Sequence, residues 1–108
     1  MSIEDAVDQL LAECDEDHVG LWELVNSVRF DLDIQDPGEI RTATLGLARA
    51  LLEKPGIDIG FPAADGRHFI PWNLSREQAM STIEEQWDRL GRCPDIGEIA
   101  WFTSTGMR

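Results

Sequence analysis

Residues 36–61 read DPGEIRTATLGLARALLEKPGIDIGF, and the change of period inside this stretch decides the fold. Asp36 offers a capping carboxylate, Pro37 stands at a first helical position where no N–H is needed, and Glu39 follows in the first turn. From there Ile40, Ala43, Thr44, Leu47, Ala48 and Leu51 recur at three- and four-residue intervals, which predicts a helix to Glu53. Leu45 and Leu52 widen the apolar stripe and mark this helix as central. Lys54-Pro55-Gly56 stops it. Ile57, Ile59 and Phe61 then alternate with Asp58 and Gly60, the period of a strand.

Towards the C-terminus, Asp65-Gly66 is a turn signal and Arg67 to Trp72 reads as the returning strand, with Pro62 and Pro71 marking ends or edges. Ser75-Arg76-Glu77-Gln78 is a capping box. It opens a helix that turns Ala79, Met80, Ile83, Trp87 and Leu90 inward and ends at Gly91. Cys93-Pro94-Asp95 is a turn. Ile99, Trp101 and Thr103 alternate with Ala100 and Phe102 in a last strand able to pair with the hairpin.

Towards the N-terminus, Ser2 and Asp5 form another capping pattern, and Ile3, Ala6, Val7, Leu10, Leu11 and Cys14 fall on one helical face. Asp15-Glu16-Asp17 reads as a hinge and the N-cap of a second helix from about His18 to Val28, with Leu21, Leu24, Val25 and Val28 inward and Trp22 beside them. Gly20 would weaken that helix if it lay inside. Phe30, Leu32 and Ile34 alternate with Asp31, Asp33 and Gln35, a strand or an extended linker, with the linker preferred. The expectation is one α+β domain over residues 1–108: three N-terminal helices, a β-hairpin, a fourth helix and a C-terminal strand. Three helices followed by a hairpin give it a degenerate winged-helix-like outline.

Charge narrows the partners. The 108 residues carry a formal net charge of −12. Residues 1–39 hold twelve carboxylates against a single base, Arg29, whereas residues 40–108 hold nine acids and eight bases. Such a surface repels phosphate backbones and anionic lipid, so neither nucleic acid nor membrane is an expected partner. No run approaches the ~20 apolar residues of a membrane helix. The first residues lack a basic segment of the secretory type, and two cysteines are too few for a disulfide scaffold, so a cytoplasmic protein with reduced thiols is expected.

Chemistry is sparsely signalled. Cys14 and His18 stand four apart, but Cys14 falls on the apolar stripe, and His68 and Cys93 are scattered, so no zinc site is expected. Counted from Asp31, the sixth residue of a calcium loop would be Asp36 and the twelfth Thr42, where glycine and glutamate are required. Neither histidine lies in a nucleophile signature, and Glu84, Glu85 and Asp88 read as a solvated helix face; no enzyme and no cofactor is expected. On the third helix Arg41, Arg49 and Lys54 fall short of a basic patch. A winged-helix regulator or adaptor is the alternative reading, and it needs those three bases aligned with Arg67.

The segment Trp87-Asp88-Arg89-Leu90-Gly91-Arg92-Cys93-Pro94-Asp95-Ile96-Gly97-Glu98-Ile99-Ala100-Trp101-Phe102 resembles the C-terminal half of uncharacterised bacterial proteins of similar size, and the chain as a small acidic single domain resembles bacterial immunity proteins of polymorphic and contact-dependent toxin systems. The acidic first third is similar to them in character. The resemblance implies no catalytic residue and a basic protein partner, a cognate toxin domain, many of which are nucleases. The residues expected to meet such a partner are Glu13, Asp15, Glu16, Asp17, Asp31 and Asp33, with Trp22 as a desolvated anchor. Sequence leaves the oligomeric state open.

Overall fold

The computed structural model describes residues 2–65 and 67–105; Gly66 of the Asp65-Gly66 turn signal lies outside the described residues. The elements run α1 (Ile3–Glu16), β1 (Val19–Gly20), α2 (Leu21–Asn26), a π-helical turn (Ser27–Asp31), α3 (Pro37–Glu53), β2 (Ile57–Pro62), β3 (Phe69–Pro71), α4 (Arg76–Leu90) and β4 (Trp101–Ser104). This is the α+β layout of three helices, hairpin, fourth helix and last strand. The sheet is antiparallel throughout, in the order β1-β4-β2-β3. The C-terminal strand therefore enters the middle of the sheet, between the hairpin and a two-residue strand that sequence did not announce.

The start and stop signals around α3 act as read. The Asp36 side chain accepts the Glu39 N–H at 3.0 Å, Pro37 opens the helix, and the helix ends at Glu53. Ile40, Thr44, Leu47, Ala48 and Leu51 are buried, and α1, α2 and α4 all pack against this helix. The Ser2 and Ser75 capping boxes are both formed. Phe102, Leu21, Leu24, Leu47, Leu51 and Ile83 are the largest fully buried side chains. Gly60, in the middle of β2, faces Pro71 and Trp101 on its two neighbours. A Cβ there would stand 2.1 Å from the Ile70 carbonyl oxygen, so only glycine allows β3 to lie this close.

Four boundaries differ from expectation, each for a local reason. The second helix begins at Leu21, not His18, because Val19 and Gly20 are drawn into the sheet against Phe102 and Trp101. Asp15-Glu16-Asp17 is not a hinge and second N-cap: α1 runs on through Glu16, and Asp17 closes it with its N–H on the Glu13 carbonyl at 2.8 Å. The returning strand is only Phe69–Pro71, since the Asp65 carboxylate takes the N–H groups of Arg67 and His68 and holds them in the turn. The last strand starts at Trp101 because Ile99 has φ +70° and the Ala100 N–H folds back to the Glu98 carbonyl at 2.9 Å. The linker reading of residues 30–35 holds from Leu32 onward, with the π-helical turn covering the part before it.

Thr44 is fully buried on α3, and its hydroxyl has no hydrogen-bond partner. A buried, unsatisfied hydroxyl costs roughly 1–3 kcal/mol. Thr44→Val keeps the shape and removes that group, so denaturant unfolding should show a gain of about 1 kcal/mol. Leu47→Ala, one turn on and equally enclosed, should lose about 2–5 kcal/mol in the same measurement.

Candidate protein-binding face

The face is built where the C-terminal half of α1 meets α2 and the π-helical turn. α1 buries Ala6, Val7, Leu10 and Cys14, which leaves Glu13 and Glu16 on its outer side. Its last turns carry Glu13, Asp15 and Glu16, followed by Asp17, with no base. Carboxylates at a helix C-terminus oppose the macrodipole, each at a cost of roughly 0.3–1 kcal/mol when exposed. The sequence retains them although they work against the helix.

α2 is positioned by its first turn. Glu23 accepts the Gly20 N–H at 2.7 Å, which fixes the carboxylate on the side of α1. The π-helical turn follows, closed by the Leu32 N–H on the Ser27 carbonyl at 3.0 Å. Val28 stays fully buried while Phe30 is 71% exposed. Asp31 is oriented by the Ser27 hydroxyl, which donates to it at 3.1 Å.

Glu13, Glu23 and Asp31 thus converge on one cleft of about 260 Å³, with Gln9, Asn26 and Phe30 on its walls. The convergence is electrostatically real. Partial burial first, and then the charges of Glu23, Asp31 and Glu16, hold the Glu13 carboxyl above its usual range. Burial, helped by Asp15, Glu13 and Glu23, pushes the Cys14 thiol up to about 12. Cys14 is accordingly an inert core side chain.

Among the described residues, no ion pair reaches Glu13, Glu23 or Asp31. Among the described residues, the arginine ion pairs join Arg41 to Asp88, Arg49 and Arg76 to Glu77, Arg89 to Glu85 and Arg92 to Glu98, all with carboxylates from beyond residue 76. The one base of the acidic third, Arg29, sits 5.5 Å above the Phe30 ring.

Of the residues singled out by sequence, Glu13 and Asp31 line the cleft and Glu16 lies close enough to repel Glu13. Asp15 adds to the field at Cys14. Asp17 is turned to its own backbone, accepting the His18 N–H at 2.7 Å. Asp33, at φ +54°, accepts from the Gln35 amide at 3.3 Å in the linker. Trp22 lies outside the cleft. It stacks edge-on against Trp101 with ring centroids 4.6 Å apart and closes over Gly20, where a Cβ would overlap its ring. Its half-exposed edge borders a neighbouring groove with Asn26, Arg29 and Ile96. Asn26 lines both hollows, so Trp22 and the cleft belong to one continuous face.

Sequence reasoning passed over Glu23 and Phe30. Glu23 stands three residues after Gly20, the spacing of a capping box, and a helix start at Leu21 would have pointed it at α1. Phe30 lies nine residues after Leu21, on the side of the helix opposite Leu21, Leu24, Val25 and Val28, so carrying the 3.6-residue period two positions past Val28 would have placed it in water.

Other chemistry is thin. His68 pairs with Asp65 on the exposed turn, and the His68 backbone N–H, then its ring, hold that carboxyl well below its usual range. His18 hydrogen-bonds to Thr103 at 3.0 Å. Among the described residues no group of three or more His, Cys, Asp or Glu side chains could hold a metal ion, and no helix is long and apolar enough to cross a membrane. Arg41 and Arg49, which a nucleic-acid-reading third helix would need, are each paired with a carboxylate of α4. No family model, curated protein or solved structure matches the chain.

The raised carboxyl of Glu13 sets a sign for pH dependence. A group with a higher pKa folded than unfolded stabilises the fold when protonated, and that contribution fades as pH climbs past 4.5 through the raised value. Asp5, Asp65, Glu77 and Glu98 are shifted down and lose their contribution below that range. Thermal melts should therefore show maximal stability on the acid side of neutrality. Glu13→Gln should raise the neutral-pH Tm and flatten the gain on acidification. A Glu13→Gln Tm at or below that of the parent at pH 7 would contradict the clustered charge.

Proposed function

We propose that this chain is a protein-binding inhibitor of the immunity type, which acts in the cytoplasm by covering the basic surface of a cognate toxin domain. The observation that carries the reading is that Glu13, Glu23 and Asp31 line one cleft with no ion pair to any of them among the described residues, beside the exposed ring of Phe30. A cationic partner relieves the repulsion on binding, and complementary fields steer its approach. Phe30 supplies area that a purely electrostatic contact lacks, with Trp22 on the adjoining groove as a second aromatic contact. The basis for a toxin partner in particular is the resemblance of the chain, as a small acidic single domain, to bacterial immunity proteins. A winged-helix regulator is less well supported, because Arg41 and Arg49 are already engaged.

The reading is tested at the locus and in the cell. The neighbouring reading frame should encode a large secreted protein with a basic C-terminal domain, and co-expression with this chain should rescue cells from that domain. Reversal of Glu13, Glu23 and Asp31 to lysine should cut the association rate by about 10- to 1,000-fold at low salt and abolish rescue. Phe30→Ala should mainly speed dissociation. A partner whose binding ignores ionic strength, or rescue that survives the triple reversal, would remove the cleft from the interface.

A further inference from the structure

A second hollow, of about 790 Å³, lies between the first turn of α1, the linker at Ile34 and the first half of α3. Its walls are apolar: Ile3 is 57% exposed, and Ile34 and Ala43 are half-buried. Gly46, an exposed position of α3, also lines it, and an added Cβ there would meet no atom within 4 Å. Its rim is acidic, with Asp36 and Glu39, and none of the residues lining it is basic. The Asp36 carboxylate is fixed there by its cap to the Glu39 N–H. Glu4 and Asp5, both exposed, follow Ile3 in the same turn of α1.

We propose that this groove docks an amphipathic helix of a partner protein, one whose apolar stripe is flanked by lysine or arginine. The apolar walls take the stripe, and the carboxylate rim takes the flanking cations. Gly38 to Gly46 span roughly 12 Å of α3, which matches two turns of a docked helix. The absent side chain at Gly46 lets the two backbones approach closely. A second copy of this chain is a poor occupant, since each copy carries −12 and would set acidic rim against acidic rim. The groove stands at the other end of α1 from the cleft, with Ile3 and Glu13 roughly 15 Å apart along the axis. The proposal therefore stands independently of the function assigned to the cleft.

The test is an NMR titration of the isotope-labelled full chain with a synthetic leucine–lysine peptide of about 18 residues, long enough to form a helix on the surface. The control is an isomer of equal composition whose leucines share no face. Saturable shifts should centre on Ile3, Ile34, Thr42 and Gly46 with the amphipathic peptide alone. Gly46→Arg, entering open space on an exposed helix position, should weaken binding about tenfold or more. Ile3→Lys should do the same. Equal binding of the two peptides would reduce the effect to charge alone and overturn the proposal. Shifts at Glu13, Glu23 and Asp31 that leave Ile3, Ile34, Thr42 and Gly46 unmoved, concentration-dependent shifts at the groove without peptide, or no saturable shifts would overturn it as well.

Discussion

Phe102 is where the two halves of the chain lock together. It is fully buried on β4 and stands opposite Val19 of β1 on one side and Ile59 of β2 on the other. The Leu21 N–H, at the first turn of α2, donates to the Ala100 carbonyl at 2.9 Å, so the start of α2 hangs on the last strand of the chain. His18 adds a tie from the same corner to Thr103. These contacts fix the direction in which the chain leaves α1 and enters α2. Glu23 and Asp31 are thereby brought to face Glu13, and the acidic cleft is a consequence of how the sheet closes.

The forces that hold the fold and the charges that mark its surface pull in opposite directions. Apolar burial around α3 and backbone pairing through β4 supply the cohesion, each indifferent to what the outer faces carry. The C-terminal two thirds pairs Arg41, Arg49, Arg76, Arg89 and Arg92 with its own carboxylates in exposed contacts. The N-terminal third does the reverse. It gathers like charges, sets them against the dipole of α1, and leaves its lone arginine over a phenyl ring. Two electrostatic regimes thus coexist on one compact core, and only one of them is balanced within the molecule.

What the sequence made legible follows the range of the interactions involved. Caps and stop signals act within a turn, so α3 from Asp36 to Glu53 and α4 from Ser75 to Gly91 were readable to the residue. The inward faces of Met80, Ile83 and Trp87 were readable from period alone, and the hairpin from the alternation of β2 with a turn signal after it, although its returning strand is shorter than read. The two-residue β1 was not, because Val19 and Gly20 become a strand only when β4 arrives from the far end of the chain. The shift of α2 to Leu21 and the role of Glu23 were lost with it. The π-helical turn at Ser27–Asp31 was illegible for a different reason: widening a turn by one residue leaves the apolar pattern almost unchanged. At the site, the acidity of the region could be read by counting, but which acids converge could not, since that depends on the α1–α2 corner.

A solvated acidic face needs only that carboxylates point outward, and repulsion then spreads them as far as the fold allows. The face described here departs from that in two respects. Glu23 and Asp31 are each held by a hydrogen bond and share a cleft with Glu13, whose carboxyl is raised by burial first and by their charges second, and the cleft is bordered by the exposed ring of Phe30. The groove at the opposite end of α1 repeats the combination, with Ile3 exposed beside fixed carboxylates. A phosphate mimic would call for charge alone, and a membrane or nucleic acid would call for the opposite charge. Under the proposed reading, apolar side chains set among oriented anions suit a partner surface that presents lysine or arginine alongside aliphatic side chains.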